Sequence, residues 1–372
     1  MVTSIHRPTK AIIDLSAITQ NIENILQQLS QEMNLFAVVK ADGYGHGAVA
    51  VANAALKAGA NGFCVATIDE GIELREAGIT QPILVLGVVE TAHIHLLSEY
   101  DLAFPVTTLT WLKDAAMILQ LEQLPRSLKV HLKVDTGMGR IGFLASENVN
   151  EAVRLIESIP QIEWEGIFTH FATADQAEKS YYEIQKNRFM AILEQLPYQP
   201  LYVHDSNSAT ALWHEPIGNL VRYGVALYGL NPSGQAVAAP YKLKAALELV
   251  SAVVQVKQLP KDYGIGYGET YITPKPEWIG TVPIGYADGW LRKLQGFHIL
   301  VDGNFCEIVG RVCMDQIMIR LPHEVPVGTK VTLIGKNGGH EITLQQVAEK
   351  LETIHYEVAC GISPRVPREY IE

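Results

Sequence analysis

The stretch Leu35-Phe-Ala-Val-Val-Lys40-Ala-Asp-Gly-Tyr44-Gly-His-Gly47 sets an apolar run of strand type directly against a lysine and a glycine-rich turn. An ammonium group in the middle of an apolar strand is strongly disfavoured. At the carboxyl end of a strand it is in place, because parallel α/β folds build their sites on that edge. Gly43, Gly45 and Gly47 let the backbone bend sharply or approach a ligand closely. Tyr44 lies inside that turn, with its hydroxyl within reach of a phosphate or carboxylate. Two readings follow. Lys40 is held for imine chemistry on a cofactor beside an anion-binding loop, or it is a strand-end lysine that turns back to water ahead of an ordinary turn.

Outward from this stretch, strand and helix patterns alternate. Strands are expected at 36–40, 62–66, 83–87, 102–106, 129–135, 163–170, 201–205 and 219–223. Helices are expected at 16–29 (Ser16 as N-cap), 49–58, 109–119, 147–157 and 182–196. Eight βα units in this length match a TIM barrel, although an open doubly wound sheet alternates in the same way. Near Tyr241 the texture changes to short β-type runs at 249–256, 278–284, 298–301, 305–309, 316–321 and 330–334, with one helix at 344–351. Asp302-Gly303 is a two-residue hairpin signal. The run 11–13 fits a strand of either half. Periodicity alone does not close the barrel, so the residues give an α/β first half, barrel or open sheet, followed by a mainly antiparallel β domain. The expected domains are 14–240 and 1–13 plus 241–372.

The 372 residues are 48% hydrophobic, enough for a large core, and the net charge of −11 carries no basic patch for nucleic acid. Cys64, Cys306, Cys313 and Cys360 lack metal-site spacing, so no metal is expected and the thiols read as reduced. Residues 1–10 are polar, without an apolar signal core, and no stretch reaches membrane-span length. A cytoplasmic location is the expectation.

Several strand ends carry candidate chemistry. The fifth leads through Lys133 and Asp135 into Gly137-Met-Gly139-Arg140-Ile-Gly142, a G-x-G-x-x-G match that does not open a helix directly. It reads better as a tight loop projecting Arg140 over the barrel mouth than as a dinucleotide site. Arg140 suits an acidic cofactor oxygen or a substrate carboxylate, or else pairs with Asp135. The sixth ends at His170 and runs on to Asp175. Asn207 and Ser208 follow the seventh, where they cap a helix or let its amides hold phosphate. The eighth holds Arg222, which needs a buried acceptor, and Gly224, whose backbone a phosphate can approach. In the second half, glycine-rich segments present Tyr267, Tyr286 and the Arg311-Val-Cys313-Met314-Asp315 run, and Tyr356 lies near the end.

Taken in order, AVVKADGYGHG, HLKVDTGMGR, GIFTHFATAD, SNSAT, VRYGVALYGLNP, PIGYADG, GRVCMDQ and SPRVPR resemble the motifs of the alanine racemase family, from Lys40 to Arg368. The resemblance implies an α/β fold, an N-terminal TIM (β/α)8 barrel bearing the cofactor followed by a mainly antiparallel β domain, in a homodimer whose active sites are each completed by the partner's β domain. It implies pyridoxal 5'-phosphate bound covalently on Lys40. Tyr44, Asn207, Ser208, Gly224, Val225 and Tyr356 would lie at the phosphate, with Arg222 facing the pyridine nitrogen. His170 would stand by the ring and link Arg222 to the tyrosine at position 267. Arg140 would contact cofactor and substrate, oriented by a Lys133 that is often carbamylated in the family. Met314 would offer a backbone amide to the substrate carboxylate. Asp175, Tyr286, Arg311, Cys313 and Asp315 would line or support the entrance. The implied reaction interconverts L- and D-alanine with two bases, Lys40 on the D side and Tyr267 on the L side, supplying D-alanine for cell-wall peptidoglycan. Competing readings are a serine, lysine or broad-specificity racemase of the same fold, a decarboxylase of the same barrel class, and a non-catalytic pyridoxal-phosphate-binding protein.

Overall fold

A computed structural model describes residues 2–372. The strands in chain order are β1 (Lys10–Asp14), β2 (Asn34–Val38), β3 (Gly62–Val65), β4 (Ile83–Val85), β5 (Leu102–Val106), β6 (Leu128–Lys133), β7 (Ile162–Phe168), β8 (Tyr202–His204) and β9 (Leu220–Tyr223). Then come β10 (Leu247–Ala252), β11 (Gln255–Leu259), β12 (Gly264–Ile265), β13 (Tyr271–Ile272), β14 (Glu277–Val282), β15 (His298–Val301) and β16 (Asn304–Glu307). The last four are β17 (Ile317–Leu321), β18 (Lys330–Asn337), β19 (His340–Ile342) and β20 (Arg368–Ile371). The chain forms two compact units. One comprises residues 17–43 and 48–245. The other gathers the segment ending at Ser16, the short piece Tyr44–Gly47 and everything from Ala246 onward.

In the first unit, eight parallel strands run in the order β8-β7-β6-β5-β4-β3-β2-β9. The Asn219 amide donates to Val203 O at 2.9 Å and the Arg222 amide to Ser206 O at 3.0 Å, so β9 returns to β8 and the sheet curls into a nearly closed barrel. Apolar strand residues of this unit are buried throughout, Phe36, Phe63, Phe104, Val130, Leu132 and Ile167 among them, all with at most 1% of their surface exposed. Strand ends are trimmed relative to the sequence expectation for a physical reason. β6 stops at Lys133 because the Asp135 amide donates to Phe143 O, closing the glycine loop on itself. Ser16 is not an N-cap. The helix Leu15–Leu26 starts straight after β1, and the Ser16 hydroxyl, inside its first turn, donates to Asp14 Oδ1.

In the second unit, β16-β15-β18-β10-β1-β20 form the main sheet, with β19 on β18, and β11-β14-β17 form another. The run 11–13 therefore belongs here, with β1 antiparallel to β10 and parallel to β20. The run 249–256 is not one strand. It breaks after Ala252: the Val253 amide goes to Thr329 and the Val254 amide to Thr281, so the chain leaves one sheet and enters the other. Asp302 and Gly303, with φ of 46° and 75°, make the β15–β16 hairpin turn. A helix at His355–Gly361 and the closing strand β20 add to the sequence expectation. Among the described residues no helix is long and apolar enough to cross a membrane.

Candidate active site

Lys40 stands two residues past β2, where the backbone takes an unusual path. Ala41, Asp42, Gly43 and Tyr44 all have φ between 52° and 59°, a turn of left-handed helix. Left-handed geometry costs non-glycine residues roughly 1–2 kcal/mol each, so the surroundings must hold it. The Gly43 amide donates to Val39 O at 2.8 Å, and Asp42 Oδ1 accepts the Ala48 amide at 2.9 Å. The Glu70 carboxylate bridges two amides, Ala41 at 2.7 Å and Ala66 at 2.6 Å, tying the turn to the end of β3. Nothing in the sequence reading pointed to Glu70.

Lys133, the last residue of β6, is 2% exposed. Its ammonium donates to Val134 O at 2.6 Å and sits 5.4 Å above the Phe168 ring. Burial above all, with repulsion from Arg222, pushes its pKa down to about 7, against the pull of Asp135. In the loop that follows, Asp135 Oδ1 accepts the amides of Gly137 and Gly139. Burial, the largest influence on Asp135, raises its pKa, but these amides and Lys133 together hold it below the ordinary carboxylate value. Among the described residues no ion pair joins Arg140 to Asp135, and Arg140 is left exposed at the loop tip.

Arg222 is the buried centre of this half of the site. One Nη donates to His204 Nδ1 at 2.6 Å; the other is shared among Thr169 O at 3.0 Å, Asp205 O at 3.3 Å and His170 Nδ1 at 3.4 Å. The acceptor that an arginine in an apolar strand requires is thus a set of imidazoles and carbonyls. Burial pushes His170 well below its ordinary pKa, and the charges of Arg222, Arg140, Lys133 and Lys40 add to the effect. Four cations around a neutral imidazole, in a chain of net charge −11, make a local anion-attracting region.

The phosphate candidates divide between the units. Asn207 caps the helix Ser208–Trp213, accepting the Thr210 amide at 3.0 Å. Ser208 Oγ accepts the Gly224 amide at 2.8 Å and the Ala226 amide at 3.4 Å, so two backbone donors converge beside one hydroxyl. Such convergence suits a phosphate oxygen. Val225 is buried between them. Tyr44 and Tyr356 belong to the second unit, with ring centroids 6.1 Å apart. In that unit the Arg368 guanidinium donates to Gly45 O at 3.0 Å, fixing the chain beyond Tyr44. Asp175 is half-buried in the loop after β7.

The remaining candidates form a surface on the second unit. Tyr267 is 71% exposed on a turn between β12 and β13, seated by Ile265 in a cluster with Leu259, Ile279 and Val309. An added Cβ on Gly268 would lie 3.0 Å from an Arg311 nitrogen, so the arginine lies against the same turn. The Tyr286 amide donates to Cys313 O and the Ala287 amide to Met314 O, holding Tyr286 beside Met314. Asp315 is tied by Arg365 at 2.6 Å. Tyr267 and Cys313 line one groove of about 600 Å³.

Two family models cover nearly all of the chain: an alanine racemase N-terminal domain over residues 13–232 and an alanine racemase C-terminal domain over 246–370. An alanine racemase from Lactiplantibacillus plantarum is 55% identical over 99% of this chain and 98% of its own length. A crystal structure of alanine racemase from E. faecalis superposes with a TM-score of 0.98 at 61% identity, covering all of both chains. A histidine racemase from Leuconostoc mesenteroides subsp. sake has a TM-score of 0.94 at 34% identity, again over all of both chains.

Proposed function

The chain belongs to the alanine racemase family, and from that premise we propose that it interconverts L- and D-alanine with pyridoxal 5'-phosphate attached to Lys40, in a homodimer. Three features support the cofactor's fit. Two backbone amides converge beside Ser208, cations surround His170, and Lys40 stands on a constrained turn at a strand end. Bound there, pyridoxal phosphate supplies an electron sink that makes the substrate Cα–H acidic.

The protein's own groups then divide the work. Ser208 and the amides of Gly224 and Val225 would hold the phosphate, with Asn207 keeping the helix start in place and Tyr44 and Tyr356 adding hydroxyls. Arg222 would present a fixed positive charge to the pyridine nitrogen and so keep a proton off it. Arg140 would bind the substrate carboxylate together with the Met314 amide of the partner subunit. Lys133, with its pKa brought down to about 7, has a substantial neutral fraction near neutral pH, and the neutral amine is the form that reacts with carbon dioxide, releasing a proton, to give a carbamate. That carbamate would then orient Arg140.

Racemisation removes a proton from one face of Cα and returns one to the other. Lys40 Nζ would exchange it on the D side, and the phenol oxygen of Tyr267 of the partner subunit on the L side. Asp175, Tyr286, Arg311, Cys313 and Asp315 would shape the entrance. The D-alanine product would serve peptidoglycan synthesis in the cytoplasm.

The observation that carries this reading is the exposed Tyr267 on a seated turn, a phenol presented to solvent by a unit distinct from the one that holds Lys40. Chiral analysis of the cofactor-loaded protein with alanine, serine, lysine and histidine, each offered separately, tests it. Alanine should be converted towards equal enantiomers fastest. Faster turnover of another amino acid would move the substrate, and no turnover with the cofactor confirmed on Lys40 would leave a binding role. Histidine belongs in the panel because the histidine racemase shares this fold.

A further inference from the structure

Behind Arg222 lies a buried chain of hydrogen bonds that no step above uses. His204 Nδ1 meets Arg222 at 2.6 Å, and His204 Nε2 meets His131 Nδ1 at 2.8 Å. His131 Nε2 in turn meets Glu165 Oε2 at 2.9 Å. His131 and His204 are fully buried and Glu165 is 7% exposed. We propose that Glu165 is a positioning residue for Arg222, acting through His131 and His204 by fixing each imidazole as a neutral, single tautomer. The inference rests on the reading above only in that Arg222 is taken to face the cofactor.

The argument is one of donors and acceptors. A guanidinium only donates. His204 Nδ1 must therefore accept, which leaves the proton of this ring on Nε2. That N–H donates to His131, so His131 Nδ1 must accept and its proton must stand on Nε2. There it requires an acceptor, and the Glu165 carboxylate is one. No other placement of protons makes all three bonds. A cationic His131 would aim an N–H at the N–H of His204, and a second proton on His204 would face Arg222. The chain thus has one polarity, from a fixed cation to a buried carboxylate through two uncharged rings. Burial, the charge of Arg222 and the neighbouring His131 all push His204 well below its ordinary pKa, in keeping with a neutral ring.

The fold is adapted to this path. The register between β6 and β7 slips after Val130 and Trp164, so that His131 pairs with Gly166 and Glu165 becomes an extra residue. Such a bulge re-aims a side chain, and here it turns a carboxylate onto His131. Gly166 is required because an added Cβ would lie 2.4 Å from His131 Nδ1. Phe168 stacks on His204 at 4.6 Å between centroids, with the planes 3° apart, and Tyr202 stacks on His131 at 6.0 Å. Both rings are therefore fixed in plane, as a tautomer-setting chain demands.

Neutron diffraction from deuterium-exchanged crystals of the holoenzyme reads the proton positions directly. Deuterium is expected on Nε2 of both His131 and His204 and on neither Nδ1. Deuterium on either Nδ1 overturns the proposal. Glu165→Leu removes the terminal acceptor and is expected to lower kcat about tenfold, the scale seen when groups that orient a functional residue are lost, and to shift the visible absorption of the bound cofactor. Glu165→Gln restores an oxygen acceptor and is expected to recover most of both. A Glu165→Leu enzyme with the parent's kcat and spectrum overturns the proposal. If Glu165→Leu does not fold, the neutron map and Glu165→Gln decide, and a Gln variant as impaired as a loss of Arg222 itself counts against a tautomer role. Failure of the parent to racemise alanine sinks the functional reading alone, because the deuterium positions do not depend on turnover.

Discussion

Arg222 is 3% exposed and held by His204, His170 and two backbone carbonyls, whereas Tyr267 is 71% exposed on a turn carried by glycines and a small apolar cluster. Both are assigned to the same chemistry, yet the molecule prepares them in opposite ways. The barrel group is aimed by buried hydrogen bonds, so its orientation is set before any ligand arrives. The Tyr267 turn fixes where the backbone runs and leaves the side chain open. A group so presented acquires its surroundings from another surface, which is why the homodimer is part of the proposal. The contrast also separates consequences. Changes near Arg222 should be felt as stability and activity together, and changes at Tyr267 as activity alone.

The largest expected effect lies at the exposed end. Tyr267→Phe deletes one oxygen from a side chain with little packing to lose, so thermal stability should stay within about 0.5 kcal/mol of the parent. Racemisation should nevertheless fall by about 10²–10⁴-fold, the usual worth of a positioned acid or base. Rates measured in both directions together with a melting curve check this. A variant that still racemises L-alanine near the parent rate breaks the two-base scheme and, with it, the contrast.

Next in size is a pH effect from the buried end. The folded pKa of Lys133, about 7, lies below its unfolded value near 10.5. Between these values the unfolded chain binds the extra proton, so stability should rise with pH across that window, with a slope from this group of up to about 1.4 kcal/mol per pH unit. Lys133→Met should flatten that component. Denaturant titrations in carbon-dioxide-free buffer isolate it, and an unchanged slope in the variant would mean that the buried amine is not the source. Smaller again, Gly166→Ala forces a Cβ against the His131 ring and should cost about 1–3 kcal/mol by overpacking. The matching control, Gly78→Ala, meets no atom within 4 Å, although its φ of +90° still carries backbone strain.

What could be read from the sequence follows the same division. The α/β repeat was legible because eight apolar strands punctuate the first two-thirds, and Arg222 was legible as a charge out of place in one of them, but the closure of β9 onto β8 left no mark in the strand pattern. Of its acceptors only His170 was named beforehand, through the family resemblance; His204 and the backbone carbonyls were not. His131 and Glu165 break apolar strands just as Arg222 does, which was the available signal, but period-two alternation assigns Glu165 to the outer face. Only the register slip at β6–β7 turns it inward, and a bulge is decided by pairing between strands. The left-handed turn after Lys40 was hidden in the same way. Ala41 and Asp42 are ordinary residue types, and their positive φ is imposed by Glu70 and Asp42 contacts formed only in the fold. In the second unit, β propensity runs unbroken across Val253 and Val254, so the switch between sheets left no mark in residue type.

The smallest effect separates two neighbours that the sequence joined. Asn207 and Ser208 are adjacent at one helix start, but the structure gives them different partners. Asn207 Oδ1 accepts from the Thr210 amide and hydroxyl inside its own helix end, and its Nδ2 donates to Phe171 O at 3.4 Å. Ser208 reaches across to the amides of Gly224 and Ala226, where β9 ends. Asn207→Ala should therefore cost about 1 kcal/mol of stability, as for loss of an N-cap, and leave cofactor affinity close to that of the parent. Ser208→Ala keeps the cap and removes the hydroxyl beside the converging amides, so it should weaken cofactor retention with a smaller change in melting temperature. Melting curves of the cofactor-free proteins, set against equilibrium titration with pyridoxal phosphate, give the two quantities independently. If Asn207→Ala loses the cofactor as readily as Ser208→Ala, then the cap is itself part of the phosphate site, and the distinction between a group that builds the helix end and one that uses it disappears.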